Sequence, residues 1–260
     1  NYMIGSGIIV QPYVFSESGI VVCVFLFGLI SLMNYTGVKL LVQCAEEVSV
    51  FEFSELSGHI LGQRGANTVD FAIAFSSAGA LLSYFLIIGT VLVDVTAHCQ
   101  GGYCDVVFLT IMPVACFTLP LCLFRNFGHL AMASYISIAV ISATVMLVIV
   151  GGPIIEADNK PTQYRLGNFI GCIKTIGDIV FATGYTAATF HSYTAMENRN
   201  VPAFLNVSAT TSALGAVACF TTGLAGYLTF GADTETNVLE NFTGSVGAVF
   251  KVGLVVHLLL

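Results

Sequence analysis

Two short sets of residues in this chain have the types and spacing to hold a ligand. The first is Gly5-Ser6-Gly7 followed by Pro12; the second is Gly171, Gly177 and Gly184, mixed with Thr183, Tyr185, Thr186 and Thr189. Each set interrupts a run that otherwise reads as an apolar helix. Glycine costs about 1 kcal/mol relative to alanine in a helix interior and proline about 3, so both places are expected to unwind locally. Unwound backbone exposes amides that can face an anionic carboxylate and carbonyls that can face a cation. Close packing of neighbouring helices is the plainer reading of the same glycines, and the spacing alone leaves both open.

Titratable groups add a second kind of chemistry. Asp178 lies inside the second interrupted run, about one and a half turns before Gly184, where a carboxylate is costly and usually faces a cavity or a partner. Lys174 stands four residues earlier, at the spacing where helix neighbours touch. A Lys174–Asp178 pair and a coupling role for Asp178, binding a proton or a substrate amine, are therefore both open. His191 and His257 titrate near neutral pH, although a lone histidine near the end of an apolar run more often reaches the interface. Arg125-Asn126 reads as an anchor in a turn.

These residues sit in a chain that is 56% hydrophobic and only 9% charged, with a mean hydropathy of +0.89. A soluble domain carries roughly 25% charged residues. The stretches 71–93, 106–124, 130–150 and 201–230 contain no charged residue, and each approaches or exceeds the roughly 20 residues that cross a bilayer as a helix. Lipid cannot satisfy backbone polar groups, so spanning elements are helices or closed barrels. Runs such as Gly79 to Ile88 do not alternate as barrel strands would. The fold class is all-α integral membrane protein, multi-pass, with the lipid bilayer as its solvent.

Eight spans can be drawn: residues 1–15, 20–42, 71–93, 106–124, 130–150, 166–193, 203–230 and from 246 onwards. Spans one and six are the interrupted ones. The largest polar connection, residues 43–70, has room for a short amphipathic helix, with Gly58, Gly62 and Gly65 as interruptions. Lys39, Arg64, Arg125 and Arg199 fall on even-numbered connections, which puts the start of the first span in the cytoplasm; Lys160 and Arg165 on the fifth connection argue the other way. The sequence opens in an apolar segment at Asn1 and stops in mid-span at Leu260. It reads as part of a longer chain or as a reduced relative of one.

Function classes fall away on the same residues. The chain has no phosphate-cradling loop, no metal-spaced histidine pair and no nucleophile constellation, so no enzyme and no metal site is expected. Eight basic residues against 15 acidic ones make nucleic acid an unsuitable partner. Cys99 and Cys104 share one loop, where a disulfide is feasible on the expected outer side; His98 and Asp105 beside them are a poor zinc set. Asn241-Phe242-Thr243 is a glycosylation sequon on that side. The sequons at Asn34 and Asn206 lie in or near spans and should stay unmodified.

Read in order, several segments resemble the amino acid/auxin permease family, and within it the sodium-coupled neutral amino acid transporters. They are residues 1–9 with Pro12-Tyr13 and Gly19; Ser83-Tyr84 with Gly89; residues 118–126 with Leu130 and Ser134; and residues 226–231 with Leu239-Glu240-Asn241-Phe242. The resemblance implies a five-plus-five inverted-repeat (LeuT-like) transporter fold. Residues 1–150 would hold the first repeat and 166–260 an incomplete second one. It implies alternating access, a small neutral amino acid as substrate, and sodium ion or proton as the coupling ion, with no other cofactor. Gly5, Ser6 and Gly7 would face the substrate carboxylate opposite Thr183, Gly184 and Tyr185. Asn1 and Ile4 would belong to an ion site.

Two departures stand out. Thr90 follows Gly89 where the family often has aspartate, with Asp94 one turn on. Tyr185-Thr186 replaces a common Cys-His pair. The implied function is secondary active transport across the plasma membrane or a lysosomal or vacuolar membrane. The alternative is a reduced, transporter-like protein that serves as a structural subunit with membrane-protein partners, or as an amino acid sensor.

Overall fold

The computed structural model describes residues 5, 7–95, 106–122, 131–155, 164–197, 199–242 and 244–259, and among these every regular element is helical. The elements are α1 (Gly7–Ser18), α2 (Ile20–Val48), α3 (Phe53–Leu61), α4 (Gln63–Val95), α5 (Val106–Pro113), α6 (Leu119–Cys122), α7 (Ala131–Met146), α8 (Gly152–Ile155), α9 (Phe169–Thr183), α10 (Thr189–Thr194), α11 (Val201–Phe230) and α12 (Gly244–Leu259). Wide π-helical turns join α5 to α6 (Val114–Thr118) and α7 to α8 (Leu147–Gly151). The first follows Pro113, which has no N–H to give the ladder.

Among the described residues, helices fall within the stretches expected to be apolar, and four are long and apolar enough to cross a membrane: Ile20–Val48, Gln63–Val95, Ser134–Ile154 and Val201–Asp233. Within the polar connection after α2, Gly58 stays inside α3, Gly62 ends it at φ 72°, and Gly65 lies inside α4. Only one of the three expected interruptions therefore breaks the chain.

Packing divides the helices into two groups. In the first, α1 lies against α9 and α11, and α2 packs on both of these; in the second, α4, α5 and α7 pack through α12 or on one another. The groups meet where α11 touches α8 and the Leu147–Gly151 turn. The α1–α9 seam is antiparallel and close. A Cβ on Gly171 would lie 2.0 Å from Glu17 O, and one on Gly7 would lie 2.8 Å from Ala182 Cα. Along α11, a Cβ on Gly226 would sit 2.5 Å from the Pro12 ring.

At one end of this group the chain pins its own turn. Gly19 has φ 84°, and a Cβ there would fall 2.6 Å from Gly167 N, so only glycine fits the left-handed turn between α1 and α2. Ile20 N donates to Arg165 O at 3.2 Å, Val21 N to Leu166 O at 2.9 Å and Asn168 N to Ser18 O at 2.8 Å. These bonds satisfy helix-end groups that would otherwise lack partners.

The opposite end is an aromatic cluster. Val38, Val42, Tyr193 and Phe204 are buried together, Glu46 Oε1 accepts the Tyr193 hydroxyl, and the Arg199 guanidinium lies 5.1 Å over the Phe51 ring. Arg199 of the sixth connection thus packs on Phe51 of the second.

Candidate functional site

The second interrupted run unwinds where its residue types predict. α9 stops at Thr183; Gly184 is extended (φ −73°, ψ 124°), Tyr185 follows at φ −135°, and a 3-10 turn at Thr186–Ala188 leads into α10. Threonine and glycine are both poor helix formers. The freed groups are held by side chains from neighbouring helices. Asn34 Nδ2 on α2 donates to Thr183 O at 3.1 Å and lies 3.4 Å from its Oγ1. Tyr185 Oη meets Ser208 Oγ of α11 at 3.0 Å. Thr183 Oγ1 donates back to Ile179 O at 2.7 Å.

The first interrupted run behaves differently. α1 starts at Gly7 and passes through Pro12 without a break, and Gly5 lies just before it, its O accepting from Ile8 N at 3.2 Å. The helix thus shows no break between Gly7 and Pro12, where the residue types predict one. Proline inside α1 is tolerated because α9 and α11 enclose the helix there. Asn1, Ile4 and Ser6 lie outside the described residues, as do Cys99 and Cys104.

The two runs meet. Gly7 abuts Ala182, the residue before Thr183, and a Cβ on Gly5 would lie 3.5 Å from Tyr84 Oη on α4. The Tyr84 ring in turn stands 6.4 Å from that of Phe181. Gly5, Gly7, Thr183, Gly184 and Tyr185 thus converge on one region lined by α2, α4 and α11. Asn34, Ser208 and Tyr84 complete it and were not singled out as site residues from sequence. The legible signal was polarity: amide and hydroxyl side chains within apolar helices need a reason to be there.

Three polar atoms are buried without a partner among the described residues: Gln11 Oε1 on α1, Ser31 Oγ on α2 and Thr189 Oγ1 on α10. Lys174 pairs with Glu17 of α1 (Nζ to Oε2 3.4 Å) and not with Asp178. The carboxylate of half-buried Asp178 has no ion pair or hydrogen bond among the described residues. The seam explains this choice, because the close Gly171–Glu17 approach brings α1 to Lys174 from the side.

Three other candidates resolve as contacts between helices or within a loop. Asp94 Oδ2 bonds Lys251 Nζ of α12 at 2.5 Å. His257 is buried against α7, its Nδ1 2.5 Å from Ser137 Oγ and 3.2 Å from Ser137 O. Asn241 spends its amide inside its own loop, Nδ2 donating to Asp233 O at 2.8 Å and Oδ1 accepting from Glu235 N at 2.9 Å. Among the described residues no cluster of His, Cys, Asp and Glu could hold a metal ion.

Comparison with known proteins agrees with this architecture. The family described as "Transmembrane amino acid transporter protein" matches residues 1–260. The chain is 27% identical over 285 residues to "Amino acid transporter AVT6E" of Arabidopsis thaliana, covering 99% of this chain and 58% of that relative. It is 24% identical to "Vacuolar amino acid transporter 2" of Saccharomyces cerevisiae, covering 96% and 54%. With "Putative sodium-coupled neutral amino acid transporter 11" of Danio rerio the identity is 26%, covering 94% and 56%. The chain spans a little over half the length of these relatives. No solved structure matches it significantly. A match along its whole length, on a chain of apolar helices, makes this an integral membrane protein that belongs to the transmembrane amino acid transporter family.

Proposed function

We propose that this chain forms the substrate-binding core of a secondary active transporter that moves neutral amino acids across a membrane, coupled to a sodium or proton gradient, by alternating access. The observation that carries the proposal is the meeting of the two interrupted runs, with Gly7 against Ala182 and Thr183–Tyr185 unwound beside it. Free amides before α1 would face the substrate carboxylate, and carbonyls at the end of α9 would face its ammonium group. Ser6 would join them, Asn1 and Ile4 would hold the coupling ion, and Asp178 would take part in coupling.

Grouping of α1, α2, α9 and α11 supports a bundle that rocks against α4, α5, α7 and α12. The antiparallel α1–α9 seam supports two inverted repeats, residues 1–150 and 166–260. The names of relatives point to either a vacuolar or a sodium-coupled system, so the host membrane is vacuolar, lysosomal or plasma membrane.

Uptake of labelled neutral amino acids by the full-length protein in proteoliposomes tests this. The runs compare a sodium gradient, a proton gradient and neither, and repeat each with Gly5→Leu, which would push a side chain toward Tyr84. Gradient-driven uptake abolished by the substitution in a folded protein is expected. Absence of uptake in every condition by folded wild type would favour a sensor or a structural subunit instead.

A further inference from the structure

Gln11 sits on the α1–α9 seam at 0% exposure. Its Nε2 donates to Gly7 O at 2.7 Å and reaches Asp178 O at 3.5 Å. Both partners are carbonyls, which can only accept, so turning the amide over would set oxygen against oxygen. The orientation is therefore fixed by chemistry, and Oε1 is left buried with no donor. A buried acceptor in that state costs about 1–3 kcal/mol. On the facing helix stands Asp178, half-buried, with no cation and no hydrogen-bond donor among the described residues. Its own carbonyl touches the Gln11 amide, so both deficits lie on one seam: an acceptor without a donor and an acid without a counter-charge.

We infer that Gln11 and Asp178 form a proton-binding site, and that the ion coupled to transport is a proton carried there. This deepens the proposed function and rests on it. Protonation converts the Asp178 carboxylate into a neutral acid whose O–H donates to Gln11 Oε1. One proton, taken from water on one side and released on the other, removes both deficits. A metal cation fits less well. Hard cations are held by shells of roughly six oxygens, and Gly7 O and Asp178 O are already turned to Nε2.

The surrounding groups leave Asp178 alone. On α1 the titratable side chains are Tyr13 and Glu17; on α9 they are Cys172 and Lys174; on α11 they are Cys219 and Tyr227, with no charged residue. On α2 they are Cys23, Tyr35, Lys39, Cys44, Glu46 and Glu47, most of them toward the far end of that helix. Glu17 and Lys174 bond each other, Glu46 bonds Tyr193, Tyr227 accepts from Arg165 N, and Cys23 points to Val14 O. None of these bonds reaches the Asp178 carboxylate.

The test uses the full-length protein and two independent readouts. Infrared difference spectra of purified wild type, Asp178→Asn and Gln11→Leu are recorded between mildly acidic and neutral pH. A carboxylic-acid C=O band that is missing in Asp178→Asn, and shifted to the frequency of a free acid in Gln11→Leu, is expected. A carboxylate that stays ionised throughout would overturn the proposal whether or not the protein transports. In proteoliposomes a one-unit pH gradient supports about tenfold accumulation per coupled proton. Wild type should reach that order without sodium. Asp178→Asn, which keeps a donor for Gln11, should lose accumulation but retain exchange of labelled for unlabelled substrate. Accumulation driven by sodium alone, or undiminished in Asp178→Asn, would overturn the proton site and leave the transporter reading standing.

Discussion

The two helix groups are built in different ways. In the group of α1, α2, α9 and α11, backbones approach closely at glycines and polar side chains cross between helices: Ser18 to Thr175 at 2.6 Å, Asn34 to Thr183, Tyr185 to Ser208. In the group of α4, α5, α7 and α12, polar links among the described residues include Asp94–Lys251, Ser137–His257 and Thr118 Oγ1 to Leu259 O at 3.2 Å. Of the apolar stretch of α11, 39% is buried, against 6% for α4. Lipid is as apolar as leucine, so membrane helices associate through packing and hydrogen bonds and not through water exclusion. The first group has both in quantity, and that is where the interrupted runs lie. Apart from α4, the helices that line the candidate site belong to this first group.

Glycine substitutions should break the contrast most visibly. Gly226→Leu drives a side chain into Pro12 at the α1–α11 contact; overpacking typically costs about 1–3 kcal/mol, occasionally more. Thermal unfolding in detergent should show a marked loss, while Gly79→Leu on α4, with nothing within 4 Å, should be silent. Equal effects at the two positions would contradict the difference in packing.

The Asp94–Lys251 link comes next. Lys251 is 8% exposed, so Asp94→Asn takes away the carboxylate bonded to a buried ammonium and leaves Glu240 as the nearby acid. Breaking a fully buried pair costs about 3–5 kcal/mol; the half-exposed Asp94 side chain should bring this nearer to 1–2. Lys251→Met should be milder than Asp94→Asn, and the double variant should recover part of the loss, all read by the same unfolding assay.

Asn34→Ala removes the bond that holds Thr183 O. Bonds between membrane helices average about 0.6 kcal/mol and reach about 1.7, so stability should fall only slightly. Substrate affinity should change more than stability, because the released carbonyl borders the proposed site. A large stability loss with unchanged affinity would make Asn34 a purely structural residue.

The smallest effect concerns pH. Partial withdrawal from solvent and the nearby Glu235 and Asp94 raise the Glu240 carboxyl above its ordinary range, while Lys251 opposes them. A raised folded-state pKa contributes stability that is fully present below the unfolded value, about 4.3 for glutamate, and is lost as pH rises through the folded value. Glu240→Gln should therefore match wild type in acid and gain slightly at neutral pH. A gain confined to acid would reverse the sign and refute the shift.

Much of the frame was legible before any coordinates. The uncharged stretches placed the long helices, and Gly184 with its flanking threonines marked the break after α9, because helix cost is a local property of residue type. Pro12 misled for the same reason: a local penalty predicted a break that enclosure by α9 and α11 makes unnecessary. Lys174 misled in another way. The i, i+4 rule names Asp178 as a neighbour, but a residue 157 positions away in sequence took the lysine.

Composition and local propensity by themselves determined the solvent, the helical class, the approximate extent of the helices and the one clear break, since each depends on residues adjacent in the chain. Tertiary structure alone decided the partners. Asn34 meets Thr183 across 149 positions and Gln11 meets Asp178 across 167, distances over which spacing carries no information. The antiparallel approach of α1 and α9, set by glycines that admit no Cβ, brought those groups together and left one acid and one amide oxygen short of a proton.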